Sequence, residues 1–167
     1  MSIYKQQKAT KPKPEDVAGD FLDVERTAAM LNFVEFLRAN KIGIRWASGN
    51  AWGLHYKGRK FGTVRIGDGM SASYLHGSWY FSHGQPINRY YSMEDCDLKT
   101  FIFDNIYAKD CENCWLKHQS GLKKIGEMNP NACTCYPMRI FNPDEERMEY
   151  SKQLIKYIMN WILEESQ

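Results

Sequence analysis

Four cysteines stand at the spacing of a metal site: Cys111 and Cys114 enclose two residues, and Cys133 and Cys135 enclose one. Two residues between thiolates let both sulfurs of a knuckle reach a single ion, and four soft thiolates select Zn²⁺, with an iron–sulfur centre as the alternative. The spacing predicts one zinc ion held by Cys111, Cys114, Cys133 and Cys135. His118, between the pairs, is the natural substitute ligand if one thiolate is unused. Two other chemistries suit the same residues. Cys111 and Cys114 form a Cys-x-x-Cys redox pair in spacing, but the pair follows a predicted helix instead of opening one, where its pKa would fall. Free thiols packed as small hydrophobes are the third reading.

A second set of residues could bind an anion. From Lys41 to Met93 the chain carries Lys41, Arg45, Lys57, Arg59, Lys60, Arg65 and Arg89 against one acid, Asp68. Within that stretch Arg45, His55, Thr63 and Arg65 fall on one face of the predicted strands, with Gly43, Gly53 and Phe61. Two arginines beside two glycines leave charge and space for a small anionic ligand. The competing reading is the ordinary polar side of a half-covered sheet. Histidines 55, 76 and 83 lack the spacing of a metal-ligand pair and read individually as structural. The aromatic run Tyr74–Phe81, followed by Tyr90 and Tyr91, suits core packing first and stacking on nucleic-acid bases second. No catalytic triad is assignable and the meander, where Asp68 is the sole acid, holds no close carboxylate pair, so no catalytic residue is named.

The elements that must position these groups follow from periodicity. Residues 1–19, with Lys5, Lys8, Lys11, Lys13 and two prolines, read as a polar, extended arm. The sequence predicts a helix over Phe21–Asn40, buried through Val24, Ala28, Leu31, Phe33, Val34, Phe36 and Leu37. Strict alternation then gives strands through Ile42–Trp46, Trp52–Tyr56 and Gly62–Ile66, with turns at Ser48-Gly49-Asn50 and Lys57-Gly58. Two more strands are expected at Ser71–His76 and Ser78–His83. Parity puts Ile44, Trp46, Trp52, Leu54, Tyr56, Val64 and Ile66 on the face that helices cover. A helix from Ser92 to about Tyr107 would hold Cys96 as a core thiol. The last helix has Asn142 as cap, Pro143 at its first position, and a stripe of Met148, Ser151, Leu154, Ile155, Ile158, Trp161 and Ile162.

Helices and strands come in blocks, which defines an α+β class: an antiparallel meander of about five strands, an N-terminal helix, and two C-terminal helices packed on one face. The 167 residues are read as the arm followed by one domain over residues 20–167. No apolar run is long enough for a transmembrane helix, and the basic start lacks the hydrophobic stretch of a signal peptide. A cytoplasmic location is expected, where cysteines stay reduced. A net charge of +2 does not reach the strongly basic balance of a committed nucleic-acid binder.

The segment Asn131-Ala-Cys133-Thr-Cys135, followed by Phe141-Asn142-Pro143-Asp144 and a helix, resembles the ending of small uncharacterised bacterial domains with a cysteine-bearing loop. The resemblance covers residues from about 111 to 158, implies a bacterial cytoplasmic protein, and carries over no catalytic residues. The functional expectation is a zinc-stapled module that binds a small molecule or a protein partner. The alternatives are a thiol redox enzyme using Cys111 and Cys114, and a nucleic-acid-binding module using the basic strands and the N-terminal arm.

Overall fold

The computed structural model describes residues 2–67, 77–83, 90, 92–105 and 138–166. The four cysteines 111, 114, 133 and 135, His118 and His76, the predicted strand 71–76 and the end of the helix predicted to reach residue 107 lie outside them. Among the described residues the chain forms α1 (Ile3–Thr10), α2 (Pro14–Phe21), α3 (Val24–Ala39), β1 (Gly43–Ser48), β2 (Ala51–Tyr56), β3 (Arg59–Ile66), β4 (Trp79–His83), α4 (Asp97–Asp104), β5 (Met138–Phe141) and α5 (Glu145–Glu164). One antiparallel sheet in the order β1-β2-β3-β4-β5 makes this an α+β protein, as the block pattern predicts. The fifth strand is the short Met138–Phe141 segment, which the sequence reading leaves in a loop. The chain divides into two compact units, Met1–Ser82 with Ile140–Gln167, and His83–Arg139.

In the larger unit the hairpins form where local chemistry favours them. Lys57 and Gly58 both take positive φ, 48° and 80°, the two-residue turn whose twist matches the flanking strands. β1 pairs with β2 from Gly43↔His55 to Ser48↔Ala51, and β2 with β3 from Ala51↔Arg65 to Tyr56↔Arg59. Between Leu54↔Gly62 and His55↔Lys60 the register slips by one, which leaves Phe61 as the extra residue of a β-bulge. Beyond the bulge the parity of β3 reverses.

One face of the sheet is dry. Trp52, Leu54, Val64 and Ile66 are at most 1% exposed. α3 covers them through Met30, Phe33, Val34 and Leu37, a stripe at spacings of three and four. The Phe33 ring lies 5.7 Å from Trp79 and 5.6 Å from Phe81. Gly62 keeps this layer thin: a Cβ there would stand 3.0 Å from the Phe81 ring and 2.9 Å from the Ser82 carbonyl. The predicted α3 stripe extends too far upstream. Val24 is 89% exposed and Ala28 is also exposed, because Asp23 caps the helix and residues 14–21 already form a separate one.

The N-terminal segment is helical, which corrects the expectation of an extended arm. Ser2 caps α1, and Pro14 occupies the first position of α2 with the Lys13 amide donating to Asp16 Oδ2 at 2.7 Å. Tertiary contacts hold α1 in place. Gln7 donates through Nε2 to Asn50 Oδ1 at 2.6 Å, while its Oε1 accepts from the Asn50 amide at 2.9 Å and from Trp46 Nε1 at 3.3 Å. Tyr4 stacks on Trp46 at 5.7 Å, and Trp52 Nε1 donates to the Pro12 carbonyl at 2.7 Å.

α5 buries all seven residues of its predicted stripe. Its cap is Asp144, whose side chain accepts from the Arg147 amide. Asn142 instead turns the chain at φ 36° and accepts from the Trp79 amide at 2.9 Å. In the smaller unit Asp97–Asp104 is a shorter helix than expected, with Cys96 as its N-terminal flank. Cys96 is exposed, which corrects its assignment as a core thiol. Asp95 is spent on an ion pair with Lys99 at 2.8 Å rather than on a capping box started by Ser92.

Three substitutions test this packing. Phe33→Ala should cost about 3–5 kcal/mol in a urea melt, the range for losing a buried aromatic, whereas Val24→Ala should change stability by less than about 0.5 kcal/mol. Gln7→Ala should cost about 1–3 kcal/mol by stranding the buried Asn50 groups, although α1 is only eight residues long. A loss below 0.5 kcal/mol would mean that α1 does not need this clamp.

Candidate functional site

The face opposite α3 is built by the register of three strands. Gly43, His55 and Lys60 form one rung, and Arg45, Gly53 and Thr63 the next. Arg65 follows opposite Ala51, itself paired with Ser48. Arg45 is exposed, and His55, Thr63 and Arg65 are half-buried, against the dry Trp52, Leu54, Val64 and Ile66 of the other side. The structure therefore brings Arg45, His55, Thr63 and Arg65 onto one open face, as strand parity predicts.

The bulge changes two memberships. Phe61, expected among these residues, is buried at 3% exposure. Lys60 takes the vacated parity and joins the face opposite His55. A Lys-rich turn gives no sign of which lysine will be so placed, since that depends on where the ladder slips.

Gly53 is the floor on which these groups meet. A Cβ at this position would stand 3.1 Å from Lys60 Cε and 3.2 Å from His55 Nε2, so both side chains fold inward over the bare backbone. Burial first, then the positive charges of Arg45 and Lys60, hold the His55 imidazole below its ordinary pKa. Arg65 turns the other way and donates through Nη2 to Ser48 Oγ at 3.0 Å. Among the described residues no carboxylate pairs with Arg45, Lys60 or Arg65. By contrast Arg59, next to Lys60 in sequence, is neutralised by Glu165 and lies over the Trp161 ring at 4.9 Å.

The arrangement can attract and hydrogen-bond an anion: guanidinium and ammonium donors, a threonine hydroxyl, and an imidazole that takes up a proton more readily once negative charge arrives. The described residues of the face include no thiol or carboxylate, and their hydroxyls are those of Thr63 and Ser48. The aromatic residues 79, 80, 81 and 90 are buried, so they serve packing and not a stacking surface. A separate groove of about 560 Å³ between α3 and α5 is lined by Glu25, Asp144, Glu145 and Glu149 with Met148 and Lys152. Lys152 there donates to Asn32 at 3.2 Å. Among the described residues no group of three or more His, Cys, Asp or Glu side chains could hold a metal ion, and no helix is long and apolar enough to cross a membrane.

Set against known protein families, curated proteins and solved structures, the chain matches none of them.

His55 gives a direct check of the geometry. In the fold its protonation is disfavoured, so the unfolded chain binds the proton first as pH falls. Stability should therefore decline below about pH 6.5, the ordinary histidine value, and be free of this penalty above it. The His55 Cε1 proton, followed by NMR, should titrate below 6.5 in the wild type. In Arg45→Ala and in Lys60→Ala its midpoint should move upward. A midpoint indifferent to both would show that the three groups do not share a field.

Proposed function

We propose that this chain is a binding module that takes an anionic ligand on the open face of its sheet, through Arg45, Lys60 and Arg65 with His55 and Thr63. The observation that carries the reading is a set of three permanent cations with no carboxylate partner among the described residues, gathered on a face whose central floor is glycine. Unneutralised like charges repel one another, and an arriving anion relieves that repulsion. The same anion favours the imidazolium form of His55, so binding strengthens as pH drops toward 6.

In the same reading Cys111, Cys114, Cys133 and Cys135 hold one zinc ion that staples the segment between the smaller unit's helix and β5, in a bacterial cytoplasm that keeps the thiols reduced. Support for the staple comes from the sequence spacing and from the soft, four-thiolate donor set. It competes with a redox role for Cys111 and Cys114.

Inorganic phosphate is the first probe. Added to the full chain at pH 6.5, it should shift the His55 resonances saturably, and the double variant Arg45→Ala/Arg65→Ala should weaken binding at least tenfold. Stability should change by about 2 kcal/mol or less, since Arg45 is exposed and half-buried Arg65 gives up one hydrogen bond to Ser48. No His55 response at any phosphate concentration short of denaturing the protein would sink the proposal. For the staple, elemental analysis should find one zinc per chain, reduced to a small fraction in Cys111→Ser. Disulfide reductase turnover by metal-free wild-type protein, absent in that variant, would replace zinc with the redox reading.

A further inference from the structure

The cations of the open face do not converge on a point. Lys60 and His55 gather over Gly53, with Arg45 on the same rung. Arg65 is one same-face rung further along and is drawn by Ser48 away from that cluster. Residues two apart in a strand are separated by about 6.8 Å, so the face carries two positive centres in line along the strand direction. A single small anion held by Lys60, His55 and Arg45 leaves Arg65 unused. An extended chain of anions spaced by roughly one rung uses both, and successive phosphates of a nucleic-acid strand have a repeat of that size.

Resting on the anion-binding reading, we propose that the ligand of this face is the phosphodiester backbone of a nucleic acid, laid along the strand direction with one phosphate held by Lys60, His55 and Arg45 and the next at Arg65. Thr63, on the Gly53 rung, supplies a hydroxyl to the first phosphate. The aromatic residues described in the neighbouring β4 are buried, so the face holds the backbone without stacking bases and does not read sequence. Three permanent cations neutralise about three phosphates at most, which makes this a weak, salt-sensitive contact. A bare lipid surface offers negative charge as well, but without a fixed repeat. The in-line placement is the reason to favour a strand.

Fluorescence anisotropy with the full chain distinguishes the cases. The probes are labelled twelve-residue oligothymidylate and oligoadenylate, with inorganic phosphate as competitor and vesicles of neutral lipid containing one-fifth phosphatidylserine as a parallel arm. Both oligonucleotides should bind within about threefold of each other. Their affinity should fall with a log–log salt slope near −2, so that a fourfold rise in salt weakens binding about sixteenfold. Arg45→Ala, Lys60→Ala and Arg65→Ala should each make the slope shallower by about 0.7, and Lys152→Ala on α5 should leave it unchanged. A duplex of the same length binding equally well is consistent with a backbone track. If inorganic phosphate competes at concentrations where it already saturates His55, and the oligonucleotide gains less than tenfold over it, the face is a single-anion site. The strand proposal then fails while the anion reading stands. Vesicles binding as tightly as the oligonucleotide, with the same dependence on Arg65, would also overturn it. No binding by any probe would end both.

Discussion

The bulge in β3 decides which residues this protein can offer to a ligand. Without the slip between Leu54↔Gly62 and His55↔Lys60, continuous parity would put Phe61 on the open face and Lys60 in the core. A phenyl ring would face water and an ammonium would be buried without a partner, the more expensive of the two errors. One extra residue corrects both. It gives Phe61 to the core and brings Lys60 over Gly53, where its charge acts on His55. The burial of Phe61 and the placement of Lys60 beside Gly53 are two results of the same local slip.

That division of labour extends to the glycines. Gly62 and Gly53 lie on β3 and β2 and serve opposite sides of the sheet. Gly62 admits the Phe81 ring beneath α3, and Gly53 admits Lys60 and His55 on the exposed side. In each case a missing side chain sets how closely another group approaches the backbone, so the absence of an atom positions a functional group as firmly as a contact would.

Much of the architecture is legible in the sequence, and its failures have physical causes. The stripe of α5 is complete because a long amphipathic helix repeats its signal over five turns, and the alternation of β1 to β3 is equally redundant. The helices α1 and α2 are hidden because each is only eight residues long, α1 is polar and carries Lys5 and Lys8, and Pro12 stands between them. Ser2 and Pro14 mark their starts, but what holds α1 is a clamp from Gln7 to Asn50, a partner 43 positions away. β5 escapes for a similar reason: four residues give only two inward positions, Met138 and Ile140, and its place is set by pairing at the sheet edge. Among the site residues, Arg45, His55, Thr63 and Arg65 follow from parity, whereas Lys60 depends on a slip that no composition signals. The cysteine motif, the strongest chemical signal in the sequence, lies outside the described residues.

The adjacency of β4 and β5 bears on how such a chain could have been assembled. The peptide leaves the sheet after His83 and returns at Met138 in the neighbouring antiparallel strand, and the amide of Asn142, just past β5, reaches back to the Trp79 carbonyl at 2.9 Å. Departure and return thus fall at the same end of two paired strands, where a hairpin turn of a few residues would suffice. A segment with neighbouring ends can be gained, lengthened or exchanged during evolution without disturbing the sheet that carries it. The sequence between the two strands carries Cys111, Cys114, Cys133 and Cys135, so a lineage could gain or lose these cysteines while the basic face on β1 to β3 stayed intact.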